Sequence, residues 1–472
     1  MHNLSFKSEE LCKKSIKFVH KKTFKTIIKF ASNKEELNDI YLIRNKLNKL
    51  NRKYKLSKQS KQIKNKFKYY KPNDPTAFKN TLTYLFYKIG FGIFVKILHN
   101  KLVMFYPFYN LSYKNNYKIE FQNADSFEEY VKRKRPDSYN YNVNTWMSNG
   151  CIINNWKIND INDGRWAEFY DMIQTLCKTQ IISDTEFFIN YKDFPVINKK
   201  LYEPNFFMFN NKKQKMKEYK FNAYLPILSC FSSPLFGDLM IPSYTEWKMI
   251  TYKYFPSNSR SSCENKQSSI NKIKWKNKVS TAVFRGTASG CGITPQTNQR
   301  LRLAEISKNW HTNNKYNQNN DIDQIPYLNA GIVGYNARDK KDFNKKLDFI
   351  NIKKLNIPRS NYISRDEQQL FKYVVYIDGH VAAERLITEL NSGSVVLKVD
   401  SLYNWMQWFH HLLKPNIHYI PIKSDLSDLS DKITWCKTND SKCYQITQNA
   451  MKLYNEINSK KYILKYLKSI LK

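Results

Sequence analysis

The sequence predicts an α/β protein with two sheet-containing domains. Short apolar runs of strand length alternate with amphipathic helical stretches through most of the chain. The length of 472 residues is enough for two ordinary domains, each with its own core. A Ser/Asn-rich segment divides the alternating part at residues 256–272, which we interpret as the linker between the domains.

Residues 1–74 form the first predicted unit, a basic and mainly helical extension. Leu and Ile alternate with Lys at near-helical spacing, as in "KEELNDIYLIRNKLNKLNRKYKL". This pattern is typical of a solvated basic helical pair. The "KPNDPT" segment then ends it, because Pro, Asn and Asp favour turns and interrupt helical periodicity.

Residues 75–255 are predicted to form the first α/β domain. The runs "IFVKIL", "KLVMFYPF" and "EFFINY" favour strands, and "WAEFYDMIQTLCK" favours a helix. The most apolar stretch, "TYLFYKIGFGIFVKILHNKLVMFYPFY", is interrupted by Lys88, Lys96 and Lys101. A membrane span needs about 20 predominantly apolar residues, so no span is predicted here.

Residues 273–450 are predicted to form the second α/β domain, followed by a C-terminal helix over residues 451–472. Its strand candidates are "TAVFRG", "KYVVYIDG", "SVVLKVD" and "HYIPI". Strands that are almost continuously apolar are typical of a parallel sheet covered on both faces.

The charge is strongly positive, with 78 Lys and Arg against 40 Asp and Glu, or +38 formally. Such a field attracts nucleic acid, anionic lipid or phosphorylated small molecules. An A+T-rich genome also produces an excess of Lys, Asn and Tyr, so nucleic-acid binding is only the second hypothesis. The eight Cys are irregularly spaced and indicate neither a disulfide framework nor a zinc site. The first residues lack the apolar core of a signal peptide, which predicts a cytoplasmic location.

One candidate anion site lies in "KVSTAVFRGTASGCGITPQTNQRLRLAEIS". A predicted strand ends at Arg285-Gly286-Thr287, a loop with Gly290 and Gly292 follows, and a helix begins near Gln299. Gly permits close approach of backbone amides to an anion, a helix start adds positive potential, and Arg matches phosphate oxygens. The Gly spacing fits neither the Walker A loop nor the dinucleotide fingerprint. A structural turn remains the competing interpretation.

The stretch "YVVYIDGHVAAERLITEL" repeats this pattern. A strand, the Asp378-Gly379 turn and a predicted helix place Arg385 where it could reach back to an anion at the helix start. The alternative is an Arg paired with a carboxylate, Glu384 or Glu389. Two such sites in one half of the chain favour a diphosphate over a single phosphate.

These motifs, in order, resemble the family 90 glycosyltransferases, the protein O-glucosyltransferase and fungal capsule-associated group. The series is "TAVFRGT", "FKYVVYIDGHVAAER", "LNSGSVVLKVDS" and "LLKPNIHYIPIKSDLSDLSDKITWCKTND". The resemblance is continuous from about Phe187 to Asn449, and "KIGFGIFVKILHNKLVMFYPF" is similar to variants from large DNA viruses that replicate in the cytoplasm. It implies a GT-B architecture, in which two Rossmann-like domains face each other across a cleft and the C-terminal one holds a UDP-sugar.

The resemblance also implies where a UDP-sugar would bind. Thr287, in the "FRGT" segment, would contact the nucleotide-sugar, and Arg300 would hold the diphosphate, although Arg302 is close enough to compete. The expected donor-binding residues are Arg285, Gly286, Thr287, Arg300, Gly379, His380, Val381 and Arg385.

Transfer with inversion requires one base that removes a proton from the acceptor hydroxyl. The family's base lies in a segment matching "EFFINYKDFPVINK", which implies Asp193, while an Asp that closes a turn before Pro is the alternative. No carboxylate cluster indicates a metal, so positively charged side chains would stabilise the leaving UDP. A further segment, "PILSCFSSPLFGDLMIPSYTEW", supplies candidate substrate contacts, with packing as the alternative: Ser229, Ser232, Asp238, Pro242, Glu246 and Trp247.

The sequence thus predicts an inverting, metal-independent glycosyltransferase without a cofactor. It would transfer glucose or xylose from UDP-glucose or UDP-xylose to a hydroxyl of a protein or glycan acceptor. The alternative is a basic nucleic-acid-binding protein on an inactive glycosyltransferase-like fold, in which nucleic acid would be the partner.

Overall fold

The computed structural model describes residues 91–109, 165–197, 224–252, 273–290, 292–313, 327–335 and 350–471, together with five single residues before Phe91. The predicted basic extension, residues 1–74, and the predicted linker, residues 256–272, lie outside the described residues. The division into domains therefore stays a prediction. Within the described part of the chain, no helix is long and apolar enough to cross a membrane.

The first sheet has five strands in the order β2-β1-β3-β4-β6. The elements of this half are β1 Phe91–Leu98, β2 Lys101–Tyr109, α1 Arg165–Thr179, β3 Thr185–Asn190, β4 Ile227–Ser229, β5 Phe231–Ser232, β6 Leu239–Met240 and α2 Tyr244–Tyr252. The strands and the helix predicted here are confirmed.

The pairing in this sheet is mixed rather than parallel throughout, which departs from a Rossmann-like sheet. β1 is antiparallel to β2 and to β3, while β3-β4 and β4-β6 are parallel. His99 and Asn100 explain the first departure, because both have positive φ, 48° and 60°. A two-residue turn of this kind joins adjacent antiparallel strands in a hairpin.

The second sheet is parallel throughout, in the order β12-β10-β9-β7-β8, as the sequence predicts. Its strands are β7 Val279–Ala288, β8 Leu328–Tyr335, β9 Phe371–Tyr376, β10 Val395–Val399 and β12 Ile420–Ile422, and β11 Met406–Gln407 pairs with β5 of the first half. The helices are α3 Gln299–Asn313, α4 Ile352–Leu355, α5 Arg365–Gln368, α6 Leu386–Glu389, α7 Leu429–Thr438, α8 Asp440–Ile457 and α9 Lys460–Ile470. All five strands of this sheet have buried side chains.

The helix predicted in "VAAERLITEL" is much shorter than expected, because α6 has four residues and begins after Arg385. The Tyr376 hydroxyl explains the difference. It accepts a hydrogen bond from the Ala383 N–H at 2.8 Å and donates to the Ala383 carbonyl at 3.1 Å. The Ala383 N–H is thus withdrawn from a helical ladder, and its carbonyl is shared between this hydroxyl and the Leu386 N–H at 3.3 Å. A helix of this length adds little dipole at the turn, so that part of the predicted anion site is wrong.

The C-terminal segment packs against the first half of the chain. Residues 451–472 contain the end of α8 and all of α9 rather than one helix, because the Ser459 side chain caps α9 by accepting from the Tyr462 N–H. Tyr466 then donates from its hydroxyl to the Met240 carbonyl at 2.7 Å. The buried face of α9 therefore belongs to the same apolar core as the first sheet.

Candidate functional site

The segments that follow β7 and β9 form one side of the candidate site. The two strands are parallel neighbours, with Val283 opposite Val374, so both chains leave the sheet at the same edge. A Cβ added to Gly290 would lie 3.2 Å from the Gly379 carbonyl oxygen. Gly290 also has φ +99°, which an L side chain rarely adopts. Glycine at this position allows the two segments to touch.

Arg300 joins these two segments. Its guanidinium donates to the Thr287 carbonyl at 2.9 Å and the Ser289 hydroxyl at 2.7 Å after β7, and to the Ile377 and Asp378 carbonyls at 3.0 and 2.8 Å after β9. Burial and then the charge of Arg385 lower the pKa of Arg300 to about 9, so it stays charged at neutral pH. Most of its donors are committed to the protein. Arg300 therefore contributes positive charge and holds the segments after β7 and β9 together, rather than offering two free N–H groups to a phosphate.

Arg300 and Arg302 occupy different positions on α3. Arg300 is buried at the ends of β7 and β9, whereas Arg302 is half-buried and has Asp425 as an electrostatic neighbour. Asn298 caps α3, since its Oδ1 accepts from the backbone N–H groups of residues 300 and 301 at 3.0 and 3.2 Å. These two backbone N–H groups at the helix start are therefore bonded to Asn298 and do not face an anion.

Arg385 and Arg300 both lie close to the ring of Phe284. The guanidinium carbon of Arg385 is 5.3 Å from the centre of the Phe284 ring, and that of Arg300 is 5.8 Å away. Arg385 Nη1 donates to the Arg285 carbonyl at 3.1 Å, and Nε lies 3.7 Å from Glu389 Oε1. Its carboxylate partner is therefore Glu389. Burial raises the pKa of Glu389 to about 7, so this carboxylate is only partly ionised at neutral pH and the cluster keeps a positive charge.

Gly286 gives Arg385 its space. A Cβ at this position would lie 2.7 Å from the Phe284 ring and 3.2 Å from Arg385 Nη2. We expect Gly286→Ala to reduce the free energy of unfolding by about 1–3 kcal/mol, the usual cost of overpacking a tight site. Chemical denaturation measures this loss. Gly334→Ala is the matched control, because the nearest atom to its Cβ outside the adjoining residues would be Arg359 Nη2 at 3.5 Å. An equal loss in Gly334→Ala would contradict the prediction.

The other residues predicted after β7 and β9 are placed differently from one another. Arg285 points away from the Arg300 and Arg385 side chains, since it donates to the carbonyl and side-chain oxygens of Asn329 at 2.8 and 2.7 Å. The prediction that its guanidinium meets the donor is therefore not supported by the geometry. Thr287 is exposed at the end of β7, His380 is half-buried, and Val381 is buried in the core.

Asp193 lies on the other side of the candidate site, in the loop that follows β3. Its side chain is exposed, whereas Tyr191 and Val196 in the same loop are buried. Asp193 is an electrostatic neighbour of Glu384, two residues before α6. The predicted base and the predicted diphosphate side are thus brought close together from opposite halves of the chain.

The candidate substrate contacts of the first half are buried in the structure. Ser229 is fully buried and donates to Asp238, which is itself 6% exposed. Ser232 lies in β5, and Pro242 is also buried. Burial of this degree leaves the packing alternative as the better description of these side chains.

Glu246 and Trp247 are also occupied by the protein itself. Glu246 closes a capping box at the start of α2 by accepting from the Ser243 N–H at 2.6 Å, and it accepts from Trp408 Nε1 at 3.0 Å. Burial raises the pKa of Glu246 to about 7. Trp247 is fully buried and donates from Nε1 to Asp171 at 2.9 Å. These two residues stabilise α2 and its contact with the second half.

Glu384 and Arg365 are two charged residues of the site that the sequence did not indicate as donor-binding residues. Glu384 accepts from the Ser243 hydroxyl at 2.6 Å, a contact between residues 141 positions apart. Burial raises the pKa of Glu384, and burial together with the Arg385 charge lowers the pKa of Arg365. Their partners lie far away in the chain, so no local pattern could have identified them.

No group of three or more His, Cys, Asp or Glu side chains in the described part of the chain is arranged to hold a metal ion. Arg300, Arg365 and Arg385 place positive charge at the edge of the second sheet, where burial and then the charge of Arg385 lower the pKa of both other arginines. Preorganised cationic side chains of this kind stabilise charge that develops on a leaving group.

Comparison with protein families identifies residues 169–472 as matching the model described as Glycosyl transferase family 90. "Uncharacterized protein 179R" of Invertebrate iridescent virus 6 is 34% identical over 441 residues, which is 83% of this chain and 36% of that protein. "Protein O-glucosyltransferase 3" of Homo sapiens is 25% identical over 299 residues, or 62% of this chain and 48% of that protein. The chain thus spans between a third and a half of the length of these curated relatives.

Among solved structures, the chain is similar to the "Crystal structure of Anabaena Alr3699/HepE in complex with UDP". The two share 10% sequence identity with a TM-score of 0.23, over 42% of this chain and 49% of that chain. This overlap is too limited to carry an argument about the fold or the ligand of this chain.

Proposed function

This chain belongs to glycosyl transferase family 90, and on that premise we propose that it transfers glucose or xylose from a UDP-sugar to a hydroxyl acceptor on a protein or glycan. The name of the relative "Protein O-glucosyltransferase 3" supports glucose and a protein hydroxyl as the first candidates. The proposal includes inversion at the anomeric carbon, a GT-B arrangement of the two sheet-containing halves, and independence from metal ions.

One observation carries the proposal, the approach of an exposed carboxylate to a cluster of arginines. Asp193 from the first half lies near Glu384, and Arg385 is the next residue in the chain. A UDP-sugar whose diphosphate lies beside Arg385 would place its sugar between the arginines and Asp193. This is the arrangement that in-line displacement requires, since the base must act on the face opposite the leaving group.

The chemistry then follows from these groups. The Asp193 carboxylate takes the proton of the acceptor hydroxyl, whose oxygen forms a bond to the anomeric carbon as the bond from that carbon to the diphosphate oxygen breaks. UDP leaves with the negative charge. Arg385, with the charge of Arg300 beside it, would stabilise that charge without reorganisation during the step. One carboxylate suffices here, unlike the pair used in glycoside hydrolysis.

Nucleotide binding gives a direct test of the donor class. We expect UDP, UDP-glucose or UDP-xylose to raise the melting temperature of the full chain, because a ligand that binds only the native state stabilises it by about 2.7 kcal/mol at a hundred times its dissociation constant. UDP-N-acetylglucosamine and GDP-mannose serve as competing donors in the same thermal-shift panel. Each measurement is repeated with EDTA, which we expect to leave the shift unchanged.

Two outcomes of this panel would contradict the proposal. A shift with GDP-mannose but none with any UDP compound would reject the uridine nucleotide. A shift that disappears with EDTA would reject independence from metal ions and leave the donor class standing.

A further inference from the structure

In the loop that carries Asp193, the backbone on both sides of that residue is hydrogen-bonded to the side chain of Asn190. The Lys192 N–H donates to Asn190 Oδ1 at 3.0 Å, and Asn190 Nδ2 donates to the Phe194 carbonyl at 2.5 Å. Asn190 is fully buried in β3. The residues before and after Asp193 are therefore attached to one buried side chain, while the Asp193 side chain itself is exposed.

A second attachment lies just beyond Pro195. The N–H groups of Val196 and Ile197 donate to Asp238 Oδ1 and Oδ2 at 2.8 and 2.7 Å. The Ser229 hydroxyl donates to Asp238 Oδ1 at 2.6 Å and accepts from Asn190 Nδ2 at 3.0 Å. Asn190, Ser229 and Asp238 thus form one continuous buried network beneath the loop.

Only an ionised carboxylate satisfies all the donors that meet at position 238. Two backbone N–H groups and one hydroxyl converge there, and an amide side chain would turn a donor toward one of them. Burial raises the pKa of Asp238 to about 6 and the hydrogen bonds oppose that rise, so the group is mostly ionised at neutral pH. The carboxylate therefore satisfies two backbone N–H groups of the segment just after Pro195, and a side chain that cannot accept from both would leave one of them buried without a partner.

We propose that Asn190, Ser229 and Asp238 are positioning residues, which hold the Asp193 carboxylate in the direction of the acceptor hydroxyl. This inference rests on the proposed function. The network fixes the backbone around Asp193, and a reacting group must be held within about 0.5 Å of its productive position by the residues that support it. The donor nucleotide would lie beside the arginines of the second half, so the network should affect turnover and not donor binding.

The test uses Asp238→Asn and Ser229→Ala in the full chain. We expect Asp238→Asn to lower kcat for UDP-sugar turnover by about tenfold to a hundredfold, since misplacement by 1 Å can cost about a hundredfold. Ser229→Ala removes one hydroxyl and should cost less, on the order of threefold to tenfold. KM for the UDP-sugar and the dissociation constant of UDP should stay at the wild-type values. Glu168→Gln, at a buried carboxylate of α1, is the matched control and should leave kcat unchanged.

Each outcome decides the inference. Wild-type kcat in a folded Asp238→Asn variant would overturn it, and so would a parallel loss of UDP affinity, which indicates general damage to the fold. If Asp238→Asn does not fold, Ser229→Ala decides, and an unchanged kcat overturns the inference. Absence of turnover in the wild-type chain would reject the proposed function together with this inference, whereas normal turnover in both variants would reject the inference alone.

Discussion

Replacement of Asp193 by Asn is expected to lower turnover of the UDP-sugar with its acceptor by about a hundredfold to ten-thousandfold, the usual contribution of a positioned general base. The change keeps the shape of the side chain and removes the group that takes the proton. Asp193 is exposed, so the substitution should leave the fold intact. Release of UDP, measured over time at saturating donor, gives kcat for both proteins.

Two comparisons make this result specific. UDP should raise the melting temperature of Asp193→Asn as much as that of the wild type, because the base does not contact the nucleotide in the proposed arrangement. Asp431→Asn changes another exposed aspartate, in the first turn of α7, and should keep wild-type turnover. Full activity in Asp193→Asn would remove Asp193 from the reaction and leave the donor site untouched.

Replacement of Arg385 by Ala is the second change with a large expected effect. We expect turnover to fall by on the order of a hundredfold or more, as happens when one preorganised donor to a developing negative charge is removed. The affinity for UDP should fall as well, because the diphosphate would lose a charged fork. Arg385→Lys, which keeps the charge and loses the fork, should give an intermediate loss. Titration with UDP and initial rates measure the two effects separately.

The ion pair with Glu389 requires its own control, because its loss could damage the turn. Glu389→Gln removes the ion pair and retains Arg385, so it should keep most of the affinity for UDP. Arg302→Ala is a second control, because it removes an arginine from the same helix as Arg300 but away from the strand ends. This variant should keep the wild-type affinity for UDP. Equal losses in Arg385→Ala and Glu389→Gln would assign the effect to the fold of the turn and contradict a contact with the diphosphate.

The predicted strands and helices that agree best with the structure are those whose sequence pattern is local. The apolar runs at "TAVFRG", "KYVVYIDG" and "SVVLKVD" are strands of one parallel sheet, because continuous apolar runs can be satisfied only where both faces are covered. The helix expected near Gln299 begins there. The helix expected in "VAAERLITEL" largely fails, since one tyrosine hydroxyl competes for the backbone of Ala383.

The predicted site residues also differ in how well the structure agrees with them. The motif series placed Arg300, Arg385 and Asp193 in one site, and the structure brings these segments together. Other candidate contacts are bonded to the protein itself. Hydrogen bonds to protein partners occupy polar atoms of five of them: Arg285, Ser229, Asp238, Glu246 and Trp247. Whether a polar side chain faces solvent or supports a neighbour depends on packing that no spacing records.

The sequence by itself determined the α/β class, the parallel second sheet and the family, since each depends on residue order and periodicity within short segments. Only the tertiary structure decided the partners: Glu389 for Arg385, Ser243 for Glu384, and Asp238 for the loop of Asp193. The two contacts that join distant segments, Ser243 with Glu384 and Asp238 with the Asp193 loop, exist because two halves of the chain or two strands of a sheet meet in space. A hydrogen bond depends on distances of about 3 Å between atoms, and the chain carries that information only once it is folded.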